Sequence, residues 1–98
     1  MKKSIEFLCD CMNYGTNGIT GHLSIYDDKI IFRPTRLMKM LIFWNKWEDL
    51  VIDLNDVKGV NKKKMGNFDV VVNDLVITFR TFQVDVIVDA IERRRNVL

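Results

Sequence analysis

The fold of this chain is decided by one stretch, Gly21-His22-Leu23-Ser24-Ile25-Tyr26-Asp27-Asp28-Lys29-Ile30-Ile31-Phe32. Apolar residues alternate with other residues up to a short polar turn at Asp27-Asp28-Lys29, and an apolar run follows that turn. A period of two is typical of a strand with one buried face. The stretch therefore predicts two strands joined by a tight turn.

The residues before this stretch predict a further strand. One side of residues 4–12 is apolar, with Ile5, Phe7, Cys9 and Cys11, and the other side carries Glu6 and Asp10. Two glycines and an asparagine within residues 14–18 suit a turn, so residues 5–26 are predicted to form a hairpin. If residues 13 and 19 pair across that turn, Cys11 lies opposite Gly21 and Cys9 lies opposite Leu23.

The rest of the chain continues as short strands. A strand over residues 29–33 is ended by Pro34, which has no N–H for a strand ladder. Alternation resumes at Leu50, Ile52 and Leu54, and residues 57–60 form another short strand. Residues 68–72 and 75–80 are rich in β-branched side chains and predict a hairpin around Asn73-Asp74.

The chain closes with an amphipathic helix at about residues 82–95. Val84, Ile87, Val88 and Ile91 recur at helical spacing. Thr81 is a candidate cap for its start, and the three arginines 93–95 complement the helix dipole at its end.

Length and composition indicate one domain over residues 1–98, because 98 residues with 48% hydrophobic content suffice for a single core. The longest apolar run, Met40-Leu41-Ile42-Phe43-Trp44, is far shorter than the roughly 20 residues of a membrane span. No signal peptide is predicted at the start. The chain is expected to be cytoplasmic with reduced cysteines, and it could be peripheral at a membrane.

The order of these elements resembles the GRAM family, a branch of the pleckstrin-homology-like fold. The resemblance rests on Gly21-x-Leu23-x-Ile25, then Ile30-Ile31-Phe32-Arg33-Pro34, later Ile52-x-Leu54-x-Asp56-Val57-x-x-Val60, and finally Thr78-Phe79-Arg80 before the helix. It implies about seven antiparallel strands in a bent sheet or small barrel capped by the helix. It also implies a non-catalytic module that binds membrane lipids or proteins. Residues 14–19, in the turn where lipid-binding relatives carry basic residues, contain no lysine or arginine.

The residues themselves offer no catalytic constellation. The chain has one histidine, no glycine-rich phosphate loop and no nucleophile elbow. Cys9, Cys11 and His22 invite a metal interpretation, but the predicted hairpin puts His22 on the other face from both cysteines, which are expected to be buried thiols. We therefore predict no enzyme, cofactor, metal or small-molecule substrate.

The most unusual segment is residues 35–47, which hold eight apolar residues, three cations and no acid. Tryptophans beside cations suit a membrane interface, where the rings sit at headgroup depth and the cations meet anionic lipid. The same segment also fits a core strand at 40–44 beside an exposed turn, or an apolar patch that mates with a second copy. The predicted lipid- or partner-binding residues here are Arg36, Lys39, Trp44, Lys46 and Trp47.

A second basic patch is predicted at Lys62, Lys63 and Lys64. These lysines could attract anionic lipid or an acidic protein, or they could be an ordinary solvated turn or protect a sheet edge. Arginines 93–95 are interpreted as surface residues, and aromatics interleaved with cations, as nucleic acid would need, are too few. The sequence thus predicts docking onto an anionic membrane or, alternatively, a protein-interaction or homo-oligomerisation module that uses residues 37–47 or a sheet edge.

Replacing both Trp44 and Trp47 with alanine tests the membrane interpretation. If the rings insert into lipid, the double variant loses liposome binding but keeps its fold, because no core contact is removed. Sedimentation with liposomes and a thermal melt measure the two properties. An unfolded variant would place the rings in the core and exclude this lipid site.

Overall fold

The computed structural model describes residues 4–13, 18–35 and 49–97. These residues form seven strands: β1 Ile5–Cys11, β2 Ile19–Ile25, β3 Lys29–Pro34, β4 Leu50–Asp53, β5 Val57–Lys62, β6 Asn67–Val72 and β7 Leu75–Arg80. Helix α1, Val84–Arg95, follows the last strand. The order across the sheet is β4-β3-β2-β1-β7-β6-β5, and every neighbouring pair is antiparallel. The predicted fold class is confirmed.

The sheet curls back on itself around an aromatic core. Phe32 on β3 and Phe79 on β7 are separated by two strands, so a flat sheet would hold them about 14 Å apart. Their ring centroids lie 5.8 Å apart, and Phe68 on β6 stacks on Phe79 at 5.4 Å. All three rings are fully buried. The predicted strong bend is therefore present, and α1 packs its buried face, including Ile87 and Ile91, against β5 and β6.

A glycine makes room for one of these rings. A Cβ atom at Gly21 would lie 2.4 Å from the Arg33 carbonyl oxygen and 2.8 Å from Phe32 Cζ. Any side chain at this position would collide with the neighbouring backbone. Gly21 in the stretch that decides the fold is thus required by the close approach of β2 and β3.

Most of the predicted elements are confirmed, with five corrections. The first hairpin pairs Cys11 with Ile19 and Cys9 with Gly21, so the register is shifted by two residues, although both cysteines stay on the core face. β5 runs on through Lys62, and Leu54 begins a 3₁₀ turn (Leu54–Asp56) rather than continuing a strand. Ile5, which was predicted on the buried face of the first strand, is 40% exposed.

The fifth correction concerns the start of the helix. Thr81 does not cap it, because Gln83 occupies the N-cap position. The Thr81 hydroxyl instead accepts a hydrogen bond from the Gln83 N–H and donates one to the Leu8 carbonyl. Thr81 therefore joins the segment before the helix to β1.

The two halves of the sheet meet at a short seam between β1 and β7. Only Asp10 with Arg80 and Cys11 with Phe79 pair across it. Beyond the end of β1, the Met12 N–H donates to the Thr78 carbonyl at 2.8 Å. The Asn13 side chain then adds two bonds, since Nδ2 donates to the Val76 carbonyl at 2.9 Å and Oδ1 accepts from the Thr78 N–H at 2.7 Å. An amide side chain thus extends the ladder where the backbone turns away.

Replacing Asn13 with alanine should lower the free energy of unfolding by about 1–2 kcal/mol, since two hydrogen bonds are lost at a site that water can reach. Urea unfolding measures this difference. The matched control is Asn61→Ala on β5, where the asparagine is exposed and its side chain makes no hydrogen bond to any described residue. Its expected change is within about 0.5 kcal/mol. Equal losses in both variants would show that Asn13 does not support the seam.

Candidate functional site

A cleft of about 640 Å³ opens where β1 and β7 separate. The strand ladder ends at Asp10 and Arg80, so residues 5–8 of β1 have no paired strand on that edge among the described residues. The chain after β7 turns away toward α1, and its Thr81 hydroxyl holds the Leu8 carbonyl at 3.2 Å. The size of the cleft is in the range of sites that bind small molecules or single side chains.

The cleft has an apolar wall and a polar end. The apolar wall comprises Leu8, Met65, Phe82 and Val84, and the polar end comprises Asp10, Thr20 and Arg80. Both oxygens of Asp10 are engaged, because Thr20 Oγ1 donates to one at 2.7 Å and Arg80 Nη2 to the other at 2.8 Å. This carboxylate is therefore held in place and is not a free base.

The thiol of Cys9, a core residue that borders the cleft, is also unreactive. Burial, with smaller contributions from Cys11 and Asp10, raises the pKa of Cys9 to about 12. Burial likewise raises the pKa of Cys11, opposed by a hydrogen bond from the backbone of Asn13. Both thiols stay protonated near neutral pH, and a protonated thiol is a poor nucleophile and metal ligand.

The metal interpretation of Cys9, Cys11 and His22, against which the sequence argues, gains no support from the placement of these residues. The cysteines face the core, whereas His22 is exposed and lies opposite Leu8 on the outer face. Within the described ranges, no three histidine, cysteine or acidic residues cluster so as to hold a metal ion. The same ranges contain no helix that is long and apolar enough to cross a membrane.

Lys62, Lys63 and Lys64 lie beside the cleft, at the turn from β5 to β6. Lys62 ends β5, and Lys64 begins the 3₁₀ turn Lys64–Gly66. Lys62 Nζ lies 2.8 Å from Asp85 in the first turn of α1, and Lys63 Nζ lies 2.8 Å from Asp69 on β6. Lys64 has no carboxylate partner among the described residues. Two of the three predicted binding charges are thus already paired, which the sequence pattern did not indicate.

The pairs of Lys62 and Lys63 differ in strength. Asp85 is 80% exposed, so its pair with Lys62 is screened by water. Asp69 is buried and also accepts a hydrogen bond from Thr78 Oγ1 at 2.7 Å. Burial alone would raise the pKa of Asp69, but the hydrogen bonds from Lys63 and Thr78, together with the charge of Lys63, outweigh burial and lower that pKa. Lys63 therefore holds a buried charge, whereas Lys62 is easily released.

The other predicted site residues, Arg36, Lys39, Trp44, Lys46 and Trp47, fall outside the described residues. Sequence reasoning missed Met65 and Phe82, which are 89% and 107% exposed. The sequence did contain a weak indication that these two apolar residues are exposed. Phe82 falls outside the helical spacing of Val84, Ile87, Val88 and Ile91, and Met65 is the apolar residue of a basic turn.

Solved structures of very different sequence share this architecture. The solution structure of the N-terminal PH domain of human ARAP2 matches with a TM-score of 0.76 and 10% identity, over 96% of this chain and 80% of that chain. This chain has the pleckstrin-homology (PH) fold. A crystal structure of linker-DH/PH domains of p115-RhoGEF matches with a TM-score of 0.75 and 13% identity, over 99% of this chain and 30% of that chain.

The sequence itself finds no relative in these comparisons. No family model matches it, and no curated protein matches it. The descriptions of these two structures both name a PH domain, so the PH fold is shown while the GRAM branch stays a prediction.

Replacing Lys63 with methionine tests its pairing with Asp69. The variant keeps the apolar stem but leaves a buried carboxylate with Thr78 alone. We expect a loss of about 1–2 kcal/mol at neutral pH, the lower part of the range for charged hydrogen bonds because the lysine is 59% exposed. Lys64→Met is the matched control, with an expected change within about 0.5 kcal/mol.

The loss should depend on pH. Because the folded pKa of Asp69 is lowered, its stabilising contribution is full above the unfolded value, near 4, and is lost as the pH falls through the folded value. The difference between wild type and Lys63→Met in urea unfolding should therefore shrink below about pH 4. A difference that stayed constant with pH would mean that the lysine stem, not its charge, supports the fold.

Proposed function

We propose that this chain is a non-catalytic, GRAM-type binding module that docks onto an anionic membrane surface from the cytoplasm. Two features support the proposal. The first is the PH fold, together with the resemblance to the GRAM family, which implies lipid or protein binding. The second is the concentration of positive charge in the middle third of the chain, where residues 34–66 carry seven basic and four acidic side chains.

The observation that carries the proposal is the turn from β5 to β6. From Val57 to Phe68 the sequence contains four lysines and no acid. Lys58, Lys62, Lys63 and Lys64 are all exposed there. Each lysine close to an anionic bilayer contributes about 1 kcal/mol, so even the subset that is not tied to a carboxylate would give a weak, salt-sensitive attraction. The segment with Arg36, Lys39, Trp44, Lys46 and Trp47 would supply the further contacts that stable docking needs.

Sedimentation with liposomes tests the proposal directly. The full chain should pellet with vesicles that contain phosphatidylserine but not with pure phosphatidylcholine, and binding should weaken from low to physiological salt because the attraction is electrostatic. Equal binding to both kinds of vesicle, or to neither, would contradict the proposal.

A second candidate function is protein interaction or homo-oligomerisation, which one observation favours. The edge of β1 at residues 5–8, which no described strand pairs, borders the cleft, and an extended segment of a partner could add there as a strand with a side chain in the cleft. Gel filtration with light scattering distinguishes this function when liposome binding is absent. A stable oligomer that resists dilution would favour self-assembly through this edge or through residues 37–47.

A further inference from the structure

We propose that the chain meets the bilayer with one particular face, the Met65/Phe82 surface, which comprises Lys62, Lys63, Lys64, Met65 and Phe82. This inference rests on the proposed membrane docking and names the described residues that insert. The two apolar side chains would enter the boundary between headgroups and acyl chains, while Lys62 and Lys64 contact lipid phosphates.

Met65 and Phe82 are brought together by a tight backbone contact. The Thr81 N–H donates to the Gly66 carbonyl at 2.9 Å. A Cβ atom on Gly66 would lie 2.6 Å from the Thr81 carbonyl oxygen, and Gly66 has a φ of +77°, so only glycine fits there. Met65 precedes Gly66 and Phe82 follows Thr81, so this contact holds the two side chains on the same wall of the cleft.

Both side chains project into solvent. Phe82 is fully exposed and Met65 is 89% exposed, so neither contributes to the hydrophobic core. Single exposed apolar residues are common and need no explanation. Here two large ones flank one backbone contact beside three consecutive lysines, and Leu8, 59% exposed, lines the same cleft. This combination of apolar and cationic side chains is typical of surfaces that lie in a membrane interface.

The charges of the surface favour an anionic bilayer as the occupant. Lys64 lies next to Met65 and has no carboxylate partner among the described residues, and the exposed pair of Lys62 with Asp85 can exchange for a lipid phosphate. Lys63 stays with the buried Asp69. A bilayer accepts protruding apolar side chains and cations at neighbouring depths, whereas a protein partner would have to supply a matching apolar pocket and acidic groups.

The test compares variants in sedimentation with phosphatidylcholine vesicles that contain or lack phosphatidylserine. The apolar variant is Met65→Asn with Phe82→Ser, since asparagine tolerates the positive φ of 62° at position 65. We expect it to weaken binding to the anionic vesicles on the order of tenfold. Lys64→Gln should weaken binding about fivefold.

Matched controls are available on other surfaces. Leu75→Ser removes an exposed apolar side chain at the opposite end of β7, and Arg93→Gln removes one positive charge in the last turn of α1. Both should bind as the wild type does. Thermal melts establish that every variant is folded.

A second measurement follows insertion directly. Phe82→Cys can be labelled selectively with an environment-sensitive fluorophore, because Cys9 and Cys11 are buried with raised pKa values. The label should shift to the blue on anionic vesicles, and a label at Leu75→Cys should not.

The outcomes separate this inference from the proposed function. If the wild type binds anionic vesicles but the Met65/Phe82 variant binds equally well, the inference is overturned and membrane docking stands. If the wild type binds no vesicle, both fail together. A Phe82 label that responds to an extended peptide of alternating glutamate and leucine, but not to vesicles, would assign the surface to a protein partner and overturn the inference.

Discussion

The structure depends on the seam where β1 meets β7, because this is the one place at which the two halves of the described sheet join. Phe79 lies at its centre. Its backbone pairs with Cys11, and its ring contacts Phe68 on one side and Phe32 on the other. A ladder of only two residue pairs is too short to hold a curled sheet by hydrogen bonds alone. Burial of three phenyl rings across the seam supplies the driving force, and the hydrogen bonds of Asn13 determine the alignment.

The shortness of the seam also creates the candidate site. If the ladder continued beyond Asp10 and Arg80, the next residues of β7 would cover the lower half of β1 and no cleft would exist. The chain instead leaves the sheet at Thr81, which binds both the Leu8 carbonyl and the Gly66 carbonyl. The same contacts that end the sheet therefore place Phe82 beside Met65. Closure of the core and exposure of an apolar surface have one structural origin.

The local sequence pattern was sufficient to predict most of the strands and the helix. The hairpin of β6 and β7 around Asn73 and the helix stripe ending at Ile91 were predicted because periodicity and turn chemistry are properties of neighbouring residues. The register of the first hairpin was predicted two residues away from the observed one. A shift of two keeps every side chain on its own face, so the apolar pattern cannot distinguish the two registers. The apolar pattern therefore shows which face of the sheet a side chain occupies, but not which residue on the neighbouring strand it pairs with.

The sequence by itself determined which residues are apolar or basic, where strands and helix form, and that the middle third of the chain is positively charged. The tertiary structure alone decided which other residues they contact or pair with. It paired Lys62 and Lys63 with carboxylates while leaving Lys64 without one among the described residues, and it placed Met65 and Phe82 at the same cleft. The physical reason is that burial and ion pairing depend on segments distant in the chain. Their approach is governed by packing of the whole core, which no local pattern records.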